Sequence, residues 1–193
     1  VPEGEEEETT DPQKFKPPPW LTEPYAILRV HVREFYRLQR ARIRATQQFD
    51  WLKRWYPTVR DDRLATILQY GKDQRRLEEA KTRLVGGELK GFPIWTEWLE
   101  SIRGVGPILA GNILGECGPA ERFEKVSAYW RYWGGAVVDG RSEIAQEGVK
   151  RHFSRHLKVA RWKLGNSFVM VQGPYREWFV QRKRKEAARA GKL

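Results

Sequence analysis

Apolar residues recur every three or four positions along most of the chain, a spacing that predicts helices. The longest such run covers residues 24–56 and stops before Pro57, a residue that ends helices. Its apolar positions are Ile27, Val30, Phe35, Leu38, Ile43, Phe49 and Leu52. The opposite face of this predicted helix carries arginines, which are Arg29, Arg33, Arg37, Arg40, Arg42 and Arg44.

A second helix is predicted over residues 62–85, with Asp61 as its N-cap and Gly86-Gly87 as its stop. Its apolar positions lie near a heptad repeat, and they are Leu64, Ile67, Leu68, Leu77 and Leu84. Residues 20–90 therefore form a long helical hairpin or coiled-coil arm. Two uses of its apolar faces stay open: core packing within the monomer, or a homodimer formed through residues 24–85.

The rest of the chain, residues 91–193, shows the same helical spacing in shorter pieces. A loop over residues 134–148 contains glycine turns and at most a short hairpin. No segment shows a convincing alternation of polar and apolar residues, so the predicted fold class is all-α. Helices are predicted over residues 93–102, 107–116, 124–133, 149–171 and 175–189.

The segment "RGVGP", residues 103–107, interrupts two apolar helical patterns. Glycines at 104 and 106 allow positive φ and remove side chains, and Pro107 suits the first turn of a helix. The backbone N–H groups that open the next helix can then bind a phosphate. This pattern predicts a helix-hairpin-helix, whose expected contacts are Arg103, Gly104, Val105, Gly106 and Ile108. A plain tight turn, or a helix-hairpin-helix that only packs, are the alternatives.

Charge favours a polyanionic partner. The formal net charge is +11 and the isoelectric point is near 9.9, a balance that indicates nucleic acid first. Six of the 25 acidic residues fall within residues 1–11, so the remainder is more basic still. Residues 1–19 are acidic and proline-rich, and we predict a disordered tail. It either competes with nucleic acid for the cationic surface or acts only as a solubilising leader.

Two segments near the C-terminus are rich in cations, residues 150–163 and 176–189. The first contains no acidic residue. Runs of charge are often only solvated faces, but these runs accompany the predicted amide pocket. We therefore predict nucleic-acid contacts at Lys150, Arg151, Arg155, Lys158, Arg161, Lys163, Arg176, Arg182, Lys183 and Arg184.

Other candidate chemistry is sparse. His152 and His156 would share a face of the predicted sixth helix, but further ligands would have to come from acidic or distant residues, with Glu147 the nearest. We therefore predict no metal and no cofactor. The aromatic residues Trp130, Tyr132 and Trp133 could stack on bases or pack in the core. The single cysteine, Cys117, excludes an intramolecular disulfide. The chain has no transmembrane-length apolar run, and we expect a cytoplasmic or nucleoid-associated protein with no membrane partner.

From about residue 95 onward, the order of these signals resembles the C-terminal domain of the IS110/IS116/IS902-family transposases. The segment "SIRGVGPILA" is similar to the helix-hairpin-helix that opens that domain. The segments "ERFEKVSAYWRYWGG", "KRHFSRHLKVARWKLGNSFVM" and "GPYREWFVQRKRKEAARAG" follow in the same order as their counterparts in the family. The resemblance implies a DNA-binding domain from a mobile element, plasmid or virus.

The same resemblance implies a nucleophilic serine in the glycine-rich loop, and Ser142 is the residue at that place. Its neighbours differ from the family pattern, and Asp139 and Glu143 are near in sequence without forming a triad. Residues 1–90 are also too short and too helical to supply the family's RNase-H-like acidic domain. Ser142 is therefore better interpreted as a loop serine or a cap, and the chain more as a binding protein than an enzyme.

The sequence thus predicts a sequence-independent DNA-binding protein that uses a helix-hairpin-helix and basic helices. RNA is a possible ligand as well, because an amide pocket recognises a phosphate and not a sugar. Two alternatives stay open. One is a serine-dependent transposase or recombinase fragment that needs a partner catalytic domain. The other is a basic structural component of a ribonucleoprotein or virion.

Overall fold

The computed structural model describes residues 17–138, 140–145, 147–149 and 151–189. Within these residues the fold is all-α, as predicted, and its one sheet is a two-stranded hairpin. Short 3-10 turns follow α3 and α4. The elements are α1 (Glu23–Trp55), α2 (Asp61–Leu89), α3 (Pro93–Glu97), α4 (Pro107–Cys117), α5 (Val126–Tyr132), β1 (Val137–Val138), β2 (Arg141–Ser142), α6 (Arg155–Met170) and α7 (Pro174–Arg189).

Helices α1 and α2 pack along each other in antiparallel directions. A Cβ atom at Gly71 would lie 3.9 Å from the Cβ of Ala45 near one end of the pair. Further along, the Arg42 Nε lies 2.6 Å from the Glu78 Oε1. The arm is therefore a hairpin within one chain, while dimerisation through it stays a prediction.

The heptad positions predicted for α2 are only partly correct. Leu64 is buried, but Leu77 and Leu84 are 49% and 50% exposed. The face of α2 that contacts α1 instead contains Leu64, Gly71, Glu78 and Val85, which are also seven residues apart. A small residue and an ion-paired acid occupy two of these positions, so hydrophobicity alone did not reveal the seam.

The predicted stop at Gly86-Gly87 is wrong, because α2 continues to Leu89. Val85 and Leu89 are completely buried. Burying such a side chain contributes about 1.5–3 kcal/mol, whereas a glycine inside a helix costs about 1 kcal/mol relative to alanine. Core packing on both sides of the glycine pair therefore outweighs their low helix propensity.

Helix α4 is the central element, and all its residues from Ala110 to Cys117 are buried. Its glycines allow close approach to the arm. A Cβ at Gly111 would lie 2.7 Å from a methyl of Val85, and one at Gly115 would lie 2.8 Å from the backbone N of Arg29. Only glycine fits at these two positions without a shift of α1 or α2.

One hydrophobic core joins the arm to the rest of the chain. Its buried residues come from α1, α2, α3, α4 and their connections, and they are Leu28, Val32, Val85, Leu89, Phe92, Trp95, Leu99, Val105, Ala110 and Leu114. The division predicted between residues 90 and 91 therefore separates two segments that share a core. Residues 1–16 of the predicted acidic tail lie outside the described residues.

Helix α6 begins six residues later than predicted. Its N-cap is Ser154, whose Oγ accepts a hydrogen bond from the Leu157 N–H at 3.3 Å. The Ser154 N–H donates to the Tyr132 carbonyl at 2.9 Å, and Phe153 is buried. These contacts hold the preceding segment against α5 in a non-helical conformation. No helix in the described ranges combines the length and hydropathy needed to cross a bilayer.

Candidate nucleic-acid interface

The turn between α3 and α4 is built around Gly104, which has a φ of 101°. Its carbonyl accepts a hydrogen bond of 2.6 Å from the Ser167 hydroxyl of α6. A Cβ at this position would lie 3.1 Å from the same hydroxyl oxygen and 3.2 Å from a methyl of Val171. Gly104 is thus required by backbone conformation and by the close packing of α6.

Gly106 has a different role, because its φ is −87°, and the positive φ expected there is not observed. It is the N-cap of α4, it is exposed, and a Cβ there would have no neighbour within 4 Å. No acceptor within the described residues bonds the N–H of Gly106 or of Ile108. These two donors stand at the positive end of the α4 dipole.

Val105 does not contribute a free donor, contrary to the predicted contact. Its N–H donates to the Ile102 carbonyl at 3.0 Å, and its side chain is part of the core. Of the predicted contact residues, Gly104, Gly106 and Ile108 keep N–H groups without a backbone acceptor among the described residues, and the last two flank Pro107.

Two neighbouring cavities extend from this turn along the groove between α1 and α6. The first has a volume of about 480 Å³ and is lined in part by Gly104, Gly106 and Ile108. The second has a volume of about 590 Å³ and is lined by Arg33, Tyr36, Arg37, Gln39, Arg40, Asn112, Arg155, His156, Val159 and Lys163. Both are lined by Tyr36, Gln39 and Lys163, so we treat them as one feature, the α1–α6 cleft.

The α1–α6 cleft is strongly cationic, and none of the described residues that line it is acidic. Two acids bind to its cations from outside. The Glu116 Oε1 lies 2.8 Å from the Arg33 Nε, and the Glu34 Oε1 lies 2.6 Å from the Arg37 Nη1. Glu116 is buried and also contacts Arg29 at 3.3 Å. No acid within the described residues pairs with the cations of Arg40, Arg155 and Lys163.

Lys163 lies where the two cavities meet. Its Nζ is 3.7 Å from the centroid of the Tyr36 ring. Burial lowers the pKa of this ammonium group, because water no longer solvates the charge fully. Burial also raises the pKa of Tyr36, which a hydrogen bond with Asn112 partly offsets. An anion entering the cleft would restore to Lys163 the favourable electrostatic environment that burial removes.

Only part of the predicted cationic set reaches the cleft. Arg155 and Lys163 line it. Lys158 points to the other side of α6, where its Nζ donates to the Glu143 carbonyl at 2.6 Å. The Arg161 guanidinium also lies on that side, 2.9 Å from where a Cβ of Gly135 would be. Arg103 and Arg151 are exposed outside the cleft, and the side chain of Lys150 lies outside the described residues.

The predicted contacts on α7 are separate from the cleft. This helix packs on α6, with Tyr175 stacked on Phe168 at a ring distance of 4.3 Å. Arg182 forms a 2.7 Å ion pair with Glu186, and the Lys183 Nζ lies 5.5 Å from the Phe179 ring. Arg176 and Arg184 likewise line neither cavity.

No family model matches the chain, and neither a curated protein nor a solved structure is significantly similar to it. A function for this chain therefore has to be inferred from the geometry and charge of the cleft.

The two histidines do not share a helix face. His156 is in the first turn of α6 and lines the cleft, but His152 precedes the helix, so the predicted i, i+4 relation is wrong. Across the part of the chain that the structure describes, no cluster of three or more histidine, cysteine or acidic side chains could hold a metal ion. Cys117 is buried at the end of α4.

Ser142 lies exposed on β2, opposite Val137 in the hairpin. The carboxylate of the adjacent Glu143 is engaged with Arg131, at 3.3 Å from its Nε. Asp139 lies outside the described residues. A serine nucleophile needs an activating base, and the described surroundings of Ser142 supply none.

The three aromatic residues singled out near α5 differ in their exposure to solvent. Tyr132 is half-buried against Phe123, at a ring distance of 5.4 Å, and Trp133 packs near Tyr129 at 5.5 Å. Trp130 is 57% exposed. Tyr132 and Trp133 are therefore partly buried in an aromatic cluster outside the hydrophobic core, while Trp130 is exposed.

The sequence did not assign Arg33, Arg37 and Arg40 to the site, although it placed them on the polar face of α1. They join the cleft because α4 packs on α1 through its glycines and brings α6 alongside. These arginines are spaced at i, i+4 and i+7, so they share one helix face. This spacing was the one feature of the sequence that indicated a cationic surface on α1. It could not be connected to residues 104–108 without the tertiary packing.

Proposed function

We propose that this protein binds the sugar–phosphate backbone of nucleic acid, without strong sequence preference, through the α1–α6 cleft. The supporting observation is that two kinds of phosphate-binding group, backbone N–H donors and cationic side chains, lie in one groove. The free amides at Gly106 and Ile108 lie at one end, and the cations without acidic partners among the described residues, Arg40, Arg155 and Lys163, lie along it.

The two kinds of donor act in complementary ways. Backbone N–H groups at a helix N-terminus bind one phosphate oxygen at a fixed place, aided by the helix dipole. Lysine and arginine side chains neutralise the following phosphates and release counterions, which supplies most of the affinity. Phosphate contacts carry no sequence information, so the predicted binding is general.

DNA is the favoured polymer in this proposal, with RNA possible, because the amides contact the phosphate and not the sugar. The resemblance of residues 95–191 to a transposase C-terminal domain supports DNA. A module of this kind would protect, package or help recombine DNA in a mobile element or virus. The serine-dependent alternative gains no support from the described surroundings of Ser142.

The test is a salt titration of binding by a triple variant, Arg40→Ala, Arg155→Ala and Lys163→Ala. The measured quantity is the slope of log affinity against log salt concentration. We expect the slope to become shallower by about one for each lost phosphate contact, hence by about three. The matched control removes three exposed cations of α2 that line neither cavity, by Arg63→Ala, Lys72→Ala and Arg83→Ala.

The control keeps the net charge change equal, so it separates local contacts from a general loss of positive charge. The proposal predicts a large change of slope in the cleft variant and a small one in the control. Equal slopes for the two variants would show that binding depends on net charge and not on the cleft.

A further inference from the structure

The α1–α6 cleft has apolar walls as well as cations. Tyr36 and Val159 line the larger cavity, and Ile108 and Leu109 line the smaller one. A phosphate group gains nothing from such surfaces, because leaving water for an apolar wall costs a charged group free energy. A planar, weakly polar nucleobase gains from contact with them.

The size of the cleft fits the same kind of group. Its two open cavities, of about 590 and 480 Å³, have room for a planar base. Gln39 lines both cavities and carries an amide that can donate to and accept from a base edge. The cleft therefore offers a base several apolar side chains together with an amide where its two cavities meet.

We infer that the cleft takes an unpaired nucleobase, so that the preferred ligand is a single strand or an unpaired position in a duplex. This inference rests on the function proposed above and specifies its ligand. A paired base can reach a cleft between two helices only by leaving the stack, which costs a few kcal/mol. An unpaired base enters without that cost, while its flanking phosphates contact the amides and cations.

The decisive comparison uses two single-stranded oligonucleotides of equal length and charge. One is a thymidine oligomer, and the other has the same backbone with abasic positions throughout. Binding is measured by fluorescence anisotropy at one salt concentration, with the full chain. We expect the abasic strand to bind about tenfold more weakly, because base–aromatic contacts contribute a factor of this order.

A variant locates the effect in the cleft. Val159→Met extends an apolar side chain from an exposed position of α6 into the space for the base, without changing the charge. We expect it to weaken binding of the thymidine strand at least about threefold more than it weakens binding of the abasic strand. Val126→Met, on the exposed surface of α5 and outside both cavities, is the matched control.

The outcomes separate this inference from the proposed function. Equal affinity for the two strands, or tighter binding of an intact duplex, would overturn the inference and leave backbone binding in place. Failure of every polymer to bind would overturn the proposed function itself. If Val126→Met weakens binding of the thymidine strand as much as Val159→Met does, the cleft is not the site that binds the base.

Discussion

At the scale of single residues, the two glycines of the α3–α4 turn have different roles. Gly104 is required by the fold, whereas Gly106 keeps the proposed phosphate-binding amides accessible. Gly104 is fixed by its φ of 101° and by contact with Ser167 and Val171. Replacing it by alanine would cost about 1–3 kcal/mol of folding free energy from backbone conformation alone. Gly106 has an ordinary φ and open space around its Cα. Its absent side chain leaves the donors beside it accessible.

Gly106→Val therefore tests the amide pocket without disturbing the fold. The branched side chain would stand in open space and cover the approach to the Gly106 and Ile108 N–H groups. We expect nucleic-acid affinity to fall about tenfold, since a hydrogen bond to a charged group is worth about 1.5–3 kcal/mol. The measurement is a binding titration, with circular dichroism to verify folding.

Gly173→Val is the matched control for this substitution. Gly173 also precedes a proline at the start of a helix, α7, and a Cβ there would have no neighbour within 4 Å. It lines neither cavity. Unchanged affinity in folded Gly106→Val, or an equal loss in Gly173→Val, would argue against the amide pocket.

At the scale of elements, α4 sets the shape of the site because it packs against α1 and α2 through glycines. Gly115→Ala would place a Cβ 2.8 Å from the backbone N and 3.0 Å from the Cα of Arg29, which cannot rotate away. We expect the free energy of unfolding to fall by about 1–3 kcal/mol, the usual range for overpacking. Urea denaturation measures this directly.

Gly165→Ala is the control for that change, since it lies within α6 where a Cβ would have no neighbour within 4 Å. There the substitution should stabilise the protein by about 0.5–1 kcal/mol through helix propensity. If Gly115→Ala is as stable as the parent chain, the close packing of α4 on α1 is not present in solution.

The elements also show what a sequence can and cannot predict. Helix existence followed from apolar spacing, so α1, α4 and α7 begin and end within about one residue of expectation. The C-terminal end of α2 and the start of α6 differ from the prediction. Tertiary contacts of the buried residues Val85, Leu89 and Phe153 determine these two boundaries. Local propensity at Gly86-Gly87 carries no information about such contacts.

The candidate site shows the same division. The turn at residues 103–107 has a local signature, so the sequence could name its glycines and Ile108 as candidates. The α1 side of the cleft has no local sequence signature, because Arg37 and Arg155 are more than a hundred residues apart in sequence. Lys158 and Arg161 lie on the side of α6 away from the cleft, since one helix displays its charges on all sides and only packing selects a side.

At the scale of the whole molecule, cations occur on many surfaces, and two of the richest among the described residues are the α1–α6 cleft and the exposed helix α7. In the cleft, cations without acidic partners among the described residues accompany the free donors at Gly106 and Ile108, so we propose binding there and not on α7. A cationic protein with no specific site would instead bind through whichever surface carries more charge, and α7 would contribute at least equally.

The most direct measurement is a backbone amide NMR titration of the protein with a thymidine oligomer at moderate salt. We predict downfield shifts and slowed hydrogen exchange at the Gly106 and Ile108 amides, with further shifts at Arg155 and Lys163 and small changes along α7. Shifts that concentrate on residues 176–189, while the Gly106 and Ile108 amides stay unchanged, would contradict the account.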